Sequence, residues 1–180
     1  MNSRGETADI AQLGAPVLRQ KAQKVNDINS DRILKIVEIM LNTLSESNGV
    51  GIAAPQIFKS ERIVIIASRP SKRYPLAPEM EPVVMFNPEF EVLSVEIEKD
   101  WEGCLSIPGV RALVPRNKKI KITYLNQREE RKELLAEDFI ARVFQHEYDH
   151  LNGLVYLDRV ENNKDIISES EFQKMMELVA

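Results

Sequence analysis

Gln145-His146-Glu147-Tyr148-Asp149-His150 holds both histidines of the chain. It lies in a segment, about Asp138 to Leu151, with the spacing of a helix, closed by Asn152-Gly153. On a helix, side chains four apart leave the same face one turn from each other, so two imidazoles can converge on one ion. Two histidines placed at random in such a chain fall four apart only about once in a hundred times. Glu147 follows the first histidine directly and completes H-E-x-x-H, the pattern in which a glutamate takes a proton from the attacking water. The plain alternative is a pair of histidines that cap or solvate a helix surface, and the glutamate weighs against it. Phe139, Val143, His146 and His150 follow one stripe at spacings of four, three and four. That face would carry the ligands and, a turn or two earlier, apolar side chains that pack a core or line a pocket.

Outward from the helix, a catalytic centre of this kind takes three protein ligands and keeps a fourth position for water. There is no third histidine, but the single cysteine, Cys104, stands upstream in Trp101-Glu102-Gly103-Cys104-Leu105-Ser106. A lone cysteine is ordinarily a small buried hydrophobe. Beside Gly103, in a loop expected between two strands, its thiolate is also placed to join two imidazoles around a divalent ion. Further upstream, Gly49-Val50-Gly51-Ile52-Ala53-Ala54-Pro55-Gln56 combines glycines that permit close backbone approach with small alanines. Alone it reads as a compact helix-to-strand turn, and it lacks the lysine and glycine spacing of a phosphate loop.

The remaining sequence supplies an α+β frame. A helix is expected from about Asp31 to Glu46, with Ile33, Ile36, Val37, Met40 and Leu44 on one stripe and Ser30 as its cap. Gly14 to Val25 suggests a turn at Ala15-Pro16 leading into a short helix or an irregular segment. Strands are expected at Ile63 to Ile66, Val83 to Phe86, Phe90 to Ile97, Val110 to Val114 and Lys119 to Leu125. Asn126 to Glu130 should form a hairpin turn before Leu134 and Leu135. Ser68 to Pro82 holds four of the nine prolines and reads as an exposed loop. The tail, about Lys164 to Leu178, is expected as a peripheral helix. No repeat or linker divides residues 1–180, which read as a single catalytic domain.

Composition narrows the function classes. A hydrophobic content of 43% over 180 residues suffices for one core without metal or disulfide staples. A formal net charge of -4 argues against the basic field of a nucleic-acid binder. No apolar run approaches the roughly 20 residues that cross a bilayer. One cysteine precludes an intrachain disulfide and fits a reducing compartment. MNSRGETADI lacks the apolar centre of a secretory signal, so the expected location is cytoplasmic.

GVGIAAPQ (49–56), EGCLS (102–106) and QHEYDH (145–150), in that order, resemble the three signature motifs of the peptide deformylase family. Flanking stretches agree: GAPVLRQKA, IPGVRALVPR and HLNGLVYLDR, so that the resemblance runs from about Leu13 to Arg159. It implies antiparallel sheets around a central helix carrying the metal-binding histidines. The implied activity is hydrolysis of the N-formyl group from the first methionine of new polypeptides, with release of formate. Cys104, His146 and His150 would be the metal ligands and Glu147 the general acid and base. Gln56 and the backbone N–H of Leu105 would meet the oxyanion. Val50 and Gly51 would pair with the peptide as with an added strand, and Val50, Phe139, Val143 and His146 would surround the methionine side chain. Arg111 would touch the peptide further along. The implied cofactor is one divalent metal ion, iron(II) in the cell, with zinc, nickel or cobalt in purified protein. The implied partners are N-formylmethionyl peptides, with contact to the ribosome near the nascent-chain exit left open.

Some expectations concern supporting residues. Asp149 should pair with Arg116, and Glu102 should fix the cysteine segment. Ile52 stands where the family more usually has leucine, a volume-conserving change. Arg142 occupies a position that is often aliphatic, so its stem should line the pocket while its charge reaches water. Two other classes share parts of this pattern. A zinc peptidase with H-E-x-x-H takes its third ligand downstream of the helix, where no further histidine or cysteine follows His150. A structural metal module closes its site with four protein ligands, for which a second cysteine or third histidine is lacking.

Overall fold

The computed structural model describes residues 5–47, 49–71, 74 and 77–178. After a turn of 3-10 helix at Pro16–Arg19, helix α1 spans Asp31–Glu46 and buries its expected stripe from Ile33 to Leu44. Ser30 does not cap it through its side chain: the hydroxyl donates to the Asp27 carbonyl at 2.9 Å. The glycine segment becomes a short strand, β1 (Gly51–Ala53), followed by a 3-10 turn at Ala54–Ile57 and then β2 (Ile63–Ser68).

The two strands expected at Val83 to Phe86 and Phe90 to Ile97 are divided differently. One long strand, β3 (Met80–Val92), runs through the first and the start of the second, with a register shift between Phe86 and Glu89. Asn87 sits there at φ 48, so a bulge absorbs Pro88 without ending the strand. The next strand, β4 (Ile97–Cys104), begins Ile-Glu-Lys-Asp with all four residues exposed, which erases the apolar alternation that reveals a strand. Cys104 therefore ends a strand and does not lie in a free loop. The expected Ser68 to Pro82 loop is shortened by β3, and Lys72, Arg73, Pro75 and Leu76 lie outside the described residues.

Then come β5 (Ile107–Asn117), β6 (Lys119–Leu125), β7 (Arg131–Glu137), helix α2 (Asp138–Leu151), β8 (Ile166–Ser168) and helix α3 (Glu169–Glu177). The hairpin between β6 and β7 is the expected one, with Asn126 Oδ1 accepting from the N–H groups of Arg128 and Glu130. The tail differs from the expected single helix, because its first part pairs as β8 with β5.

The strands form two antiparallel sheets, β1-β2-β3-β6-β7 and β4-β5-β8. In β2, Ile63 and Ile65 face α1, packing with Ile36, Met40 and Phe86. Val64 and Ile66 face α2, packing with Val143, Phe144 and Ile122. Both faces of β2 are covered, which is why its apolar run is continuous. Helix α2 lies between the sheets and buries all of Ala141 to Glu147. It ends at Gly153, where φ is 73 and an added Cβ would meet the Arg19 carbonyl at 2.9 Å, so no larger residue closes the helix there. Among the described residues no helix is long and apolar enough to cross a membrane.

Candidate metal centre

The fold brings the three expected ligands together. Helix α2 presents His146 and His150, and Cys104 meets them from the end of β4. One ligand atom from each lies within 4.8 Å of the others, and all three residues are buried. Cys104 Sγ is 3.4 Å from His150 Nε2. Sulfur and nitrogen on one tetrahedral ion, at bond lengths of about 2.3 and 2.1 Å, stand about 3.6 Å apart. The donor set therefore fits a divalent cation with no fourth protein ligand in the group. Burial opposes ionisation of the Cys104 thiol, but the two imidazoles outweigh it and hold the group well below its ordinary pKa. The result is a ready thiolate, the form that binds a metal. The Ser106 N–H also points at the sulfur, at 3.4 Å.

Glu147 is buried beside these ligands, and its Oε2 has no hydrogen-bond partner among the described residues. An orphaned buried carboxylate oxygen is costly unless a reactant or water uses it. Burial pushes the Glu147 pKa up to about 7, although the neighbouring imidazoles pull it down. A base poised there can both accept and return a proton near neutrality. Gln56 faces the centre from the 3-10 turn after β1. Its Oε1 accepts from the Ala53 N–H at 2.8 Å, which leaves Nε2 as a donor 3.5 Å from Cys104 Sγ and 3.3 Å from Ser106 Oγ.

A buried ionic network holds the ligands in place. Glu102 and Cys104 are two apart on β4 and both are buried. Glu102 Oε2 lies 2.8 Å from His146 Nδ1, which fixes that ring's orientation and leaves Nε2 for the centre. The same carboxylate receives two bonds from Arg116, at 2.9 and 3.0 Å, and one from Arg142 at 3.0 Å. Asp149 pairs with Arg116 at 2.6 Å, as expected from the sequence, and also with Arg159 at 2.6 and 3.1 Å. Sequence reading placed Glu102 at the cysteine segment but missed its bond to His146. The available signal was its place two residues before Cys104.

Two expectations require correction. The Arg142 guanidinium does not reach water: it donates to Glu102 and to the carbonyls of Val114 and Glu98, both at 2.7 Å. Arg111 is fully buried and held by Glu169 in two bonds, at 2.6 and 3.0 Å, so it is not presented to a peptide. The two-pronged carboxylate partner, supplied by the tail, explains why this arginine tolerates burial.

A cavity of about 630 Å³ opens from the centre. It reaches Gln56, Cys104, His146 and Glu147, and Val50, Gly51, Leu105, Phe139 and Val143 line it. Tyr74, Trp101, Phe172 and Met176 also line it, beside the charged Glu98, Asp100 and Asp138, and sequence reading did not single them out. For Tyr74, Phe172 and Met176 the signal was weak, because the tail lies beyond the motifs and Tyr74 lies in the proline-rich segment; for Trp101 the available signal was its place three residues before Cys104.

A family model described as polypeptide deformylase matches residues 7–165. Peptide deformylase 2 of Nostoc sp. is 47% identical over 171 residues, covering 95% of this chain and 96% of that protein. A crystal structure of class I type b peptide deformylase from Acinetobacter baumannii, with Met-Ala-Ser bound, is 43% identical. It superposes with a TM-score of 0.84, covering 87% of this chain and 99% of that one. Peptide deformylase from Thermotoga maritima superposes with a TM-score of 0.77 at 37% identity, covering 87% and 99%. This chain therefore belongs to the polypeptide deformylase family, enzymes that remove the N-formyl group from nascent peptides.

Proposed function

We propose that Cys104, His146 and His150 hold one divalent ion, iron(II) in the cell, and that Glu147, Gln56 and the Leu105 N–H carry the reaction beside it. The observation behind this reading is the convergence of one thiolate and two imidazoles within 4.8 Å, next to the orphaned Glu147 Oε2. When bound, such an ion supplies Lewis-acid polarisation of a carbonyl and makes water more acidic. Thiolate and imidazole suit zinc, nickel and cobalt as well as iron(II).

Glu147 takes a proton from the water that attacks the formyl carbon and returns it to the departing amine. Gln56 Nε2 and the Leu105 N–H donate to the oxygen on which negative charge develops. Losing one such donor typically costs about 3 to 4 kcal/mol of transition-state stabilisation. The substrate backbone lies along β1, which is an edge strand of its sheet and so can accept an added strand. Val50 contributes less than Gly51 here, because its carbonyl already accepts from the Ala67 N–H at 2.8 Å. The first methionine side chain packs against Val50, Phe139 and Val143. A cytoplasmic location is part of the same reading, since newly made formylated chains are the substrates it assigns.

Met-Ala-Ser, bound in the Acinetobacter baumannii relative, is what deformylation of formyl-Met-Ala-Ser leaves. Metal-loaded protein given that peptide should release formate and free amine in equal amounts. In Gln56→Ala, kcat should fall about 100- to 1,000-fold, far more than the loss of the bond to the Ala53 N–H lowers stability. Peptide-bond cleavage without formate, or equal loss of stability and activity in the variant, would contradict the reading.

A further inference from the structure

The tail is built into the wall of the substrate cavity. β8 pairs with β5 through Val110↔Ser168, Arg111↔Ile167 and Ala112↔Ile166. Ser168 then caps α3, its Oγ accepting from the Glu171 N–H at 3.3 Å. At the start of α3, Glu169 grips Arg111 in two bonds. The Arg111 guanidinium lies 4.6 Å from the centre of the Phe172 ring, and that ring is 5.7 Å from Trp101. A cation held over an aromatic face fixes the ring's position as well as the arginine's. One turn on, Met176 is 42% exposed and lines the same cavity as Phe172, Trp101, Cys104 and Glu147.

We infer that Trp101, Phe172 and Met176 form a specificity wall for an apolar side chain of the peptide downstream of its first methionine. Arg111 and Glu169 act as positioning residues that hold this wall. The inference rests on the deformylase reading, and its occupant is set by continuity. The cavity that takes the formyl end runs without a break to this wall, and the first methionine is already accommodated by Val50, Phe139 and Val143. The exposed Met176 and the Phe172 edge are flexible and aromatic surfaces that gain by covering an aliphatic chain.

The test compares kcat/KM for formyl-Met-Leu-Ser, formyl-Met-Ser-Leu and formyl-Met-Ser-Ser, using metal-loaded full-length enzyme. At least one leucine peptide should be preferred over the serine peptide about five- to tenfold, the scale on which a hydrophobic contact discriminates. Phe172→Ala should bring that ratio to within about twofold, and Phe172→Leu should restore part of it. Met176→Glu, at a half-exposed site that the helix can spare, should abolish the preference even if the alanine variant folds poorly. Glu169→Ala should lower the same ratio through KM and not through kcat. No preference in the parent enzyme, or a preference that survives Met176→Glu, would overturn the inference. Absence of formate from all three peptides would instead count against the deformylase reading itself.

Discussion

Glu147 occupies the space where Gly51 would carry a side chain: a Cβ placed on Gly51 would stand 2.7 Å from Glu147 Oε1 and 2.8 Å from its Cγ. The glycine is required by this close approach and not by a turn, since Gly51 lies in a strand. Gly51→Ala must therefore displace the buried carboxylate. An ångström of misplacement at a reacting group can cost about 100-fold in rate. We expect kcat on formyl-Met-Ala-Ser to drop by about that factor while one metal ion per chain is retained. Activity within twofold of the parent would show that Glu147 needs no such room.

Glu102 orients His146, so its loss should be felt first as weaker metal binding. Glu102→Gln keeps the shape but gives up the charge that Arg116 and Arg142 also use. Substituting such a partner typically costs about 10- to 100-fold in metal affinity. Competition with a chelator of known affinity measures this directly. Unchanged affinity would mean that His146 is held by packing alone.

The pairing of Asp149 makes a statement about acid stability. Burial would raise its pKa, but Arg159 and Arg116 outweigh that effect and keep it below the usual carboxylate value. A depressed acid contributes stability that is present above its unfolded pKa of about 4 and is lost as pH falls through its lower folded value. Metal-free Asp149→Asn should thus be less stable than the parent by roughly 1–3 kcal/mol at pH 7, because Arg116 loses one of its two buried carboxylate partners and keeps Glu102. Below about pH 4 the gap should narrow. Urea melts at pH 7 and pH 3 test this, and a constant gap would contradict it.

Glu147 has the opposite sign. Its folded pKa, about 7, is above the ordinary 4.5, so burial of the charged form costs stability increasingly as pH rises between those values. In the metal-free protein, Glu147→Gln should be more stable than the parent at pH 8, by roughly 1–3 kcal/mol, and nearly equal to it at pH 4.5. The same variant should lose its activity, an instance of stability given up for function. Thermal melts of both metal-free proteins across this range would decide the matter, and equal melting temperatures at pH 8 would refute it.

What could be read from sequence followed how locally each feature is encoded. The helix of His146 and His150 was legible because its period, its Asn-Gly stop and its ligand spacing all lie within sixteen residues. Lys119 to Leu125 was legible for the same reason. β4 was hidden because Ile97 to Asp100 are all exposed, so its pairing with β5 fixes it while its own pattern does not. The break expected between Phe86 and Phe90 is bridged by a bulge at Asn87 that carries β3 past Pro88. Arg142 and Arg111 were misplaced for a related reason: their burial depends on Glu102 and Glu169, which are 40 and 58 residues away. No local spacing announces a partner at that distance, and a charged residue is by default placed in water.

The central claim is that one sulfur and two imidazole nitrogens share a single ion. Metal-edge X-ray absorption on anaerobically purified protein tests it most directly. The account predicts one sulfur scatterer at about 2.3 Å with two imidazole nitrogens near 2.1 Å and a light-atom solvent ligand. A shell without sulfur, or one completed by a fourth protein side chain, would contradict it.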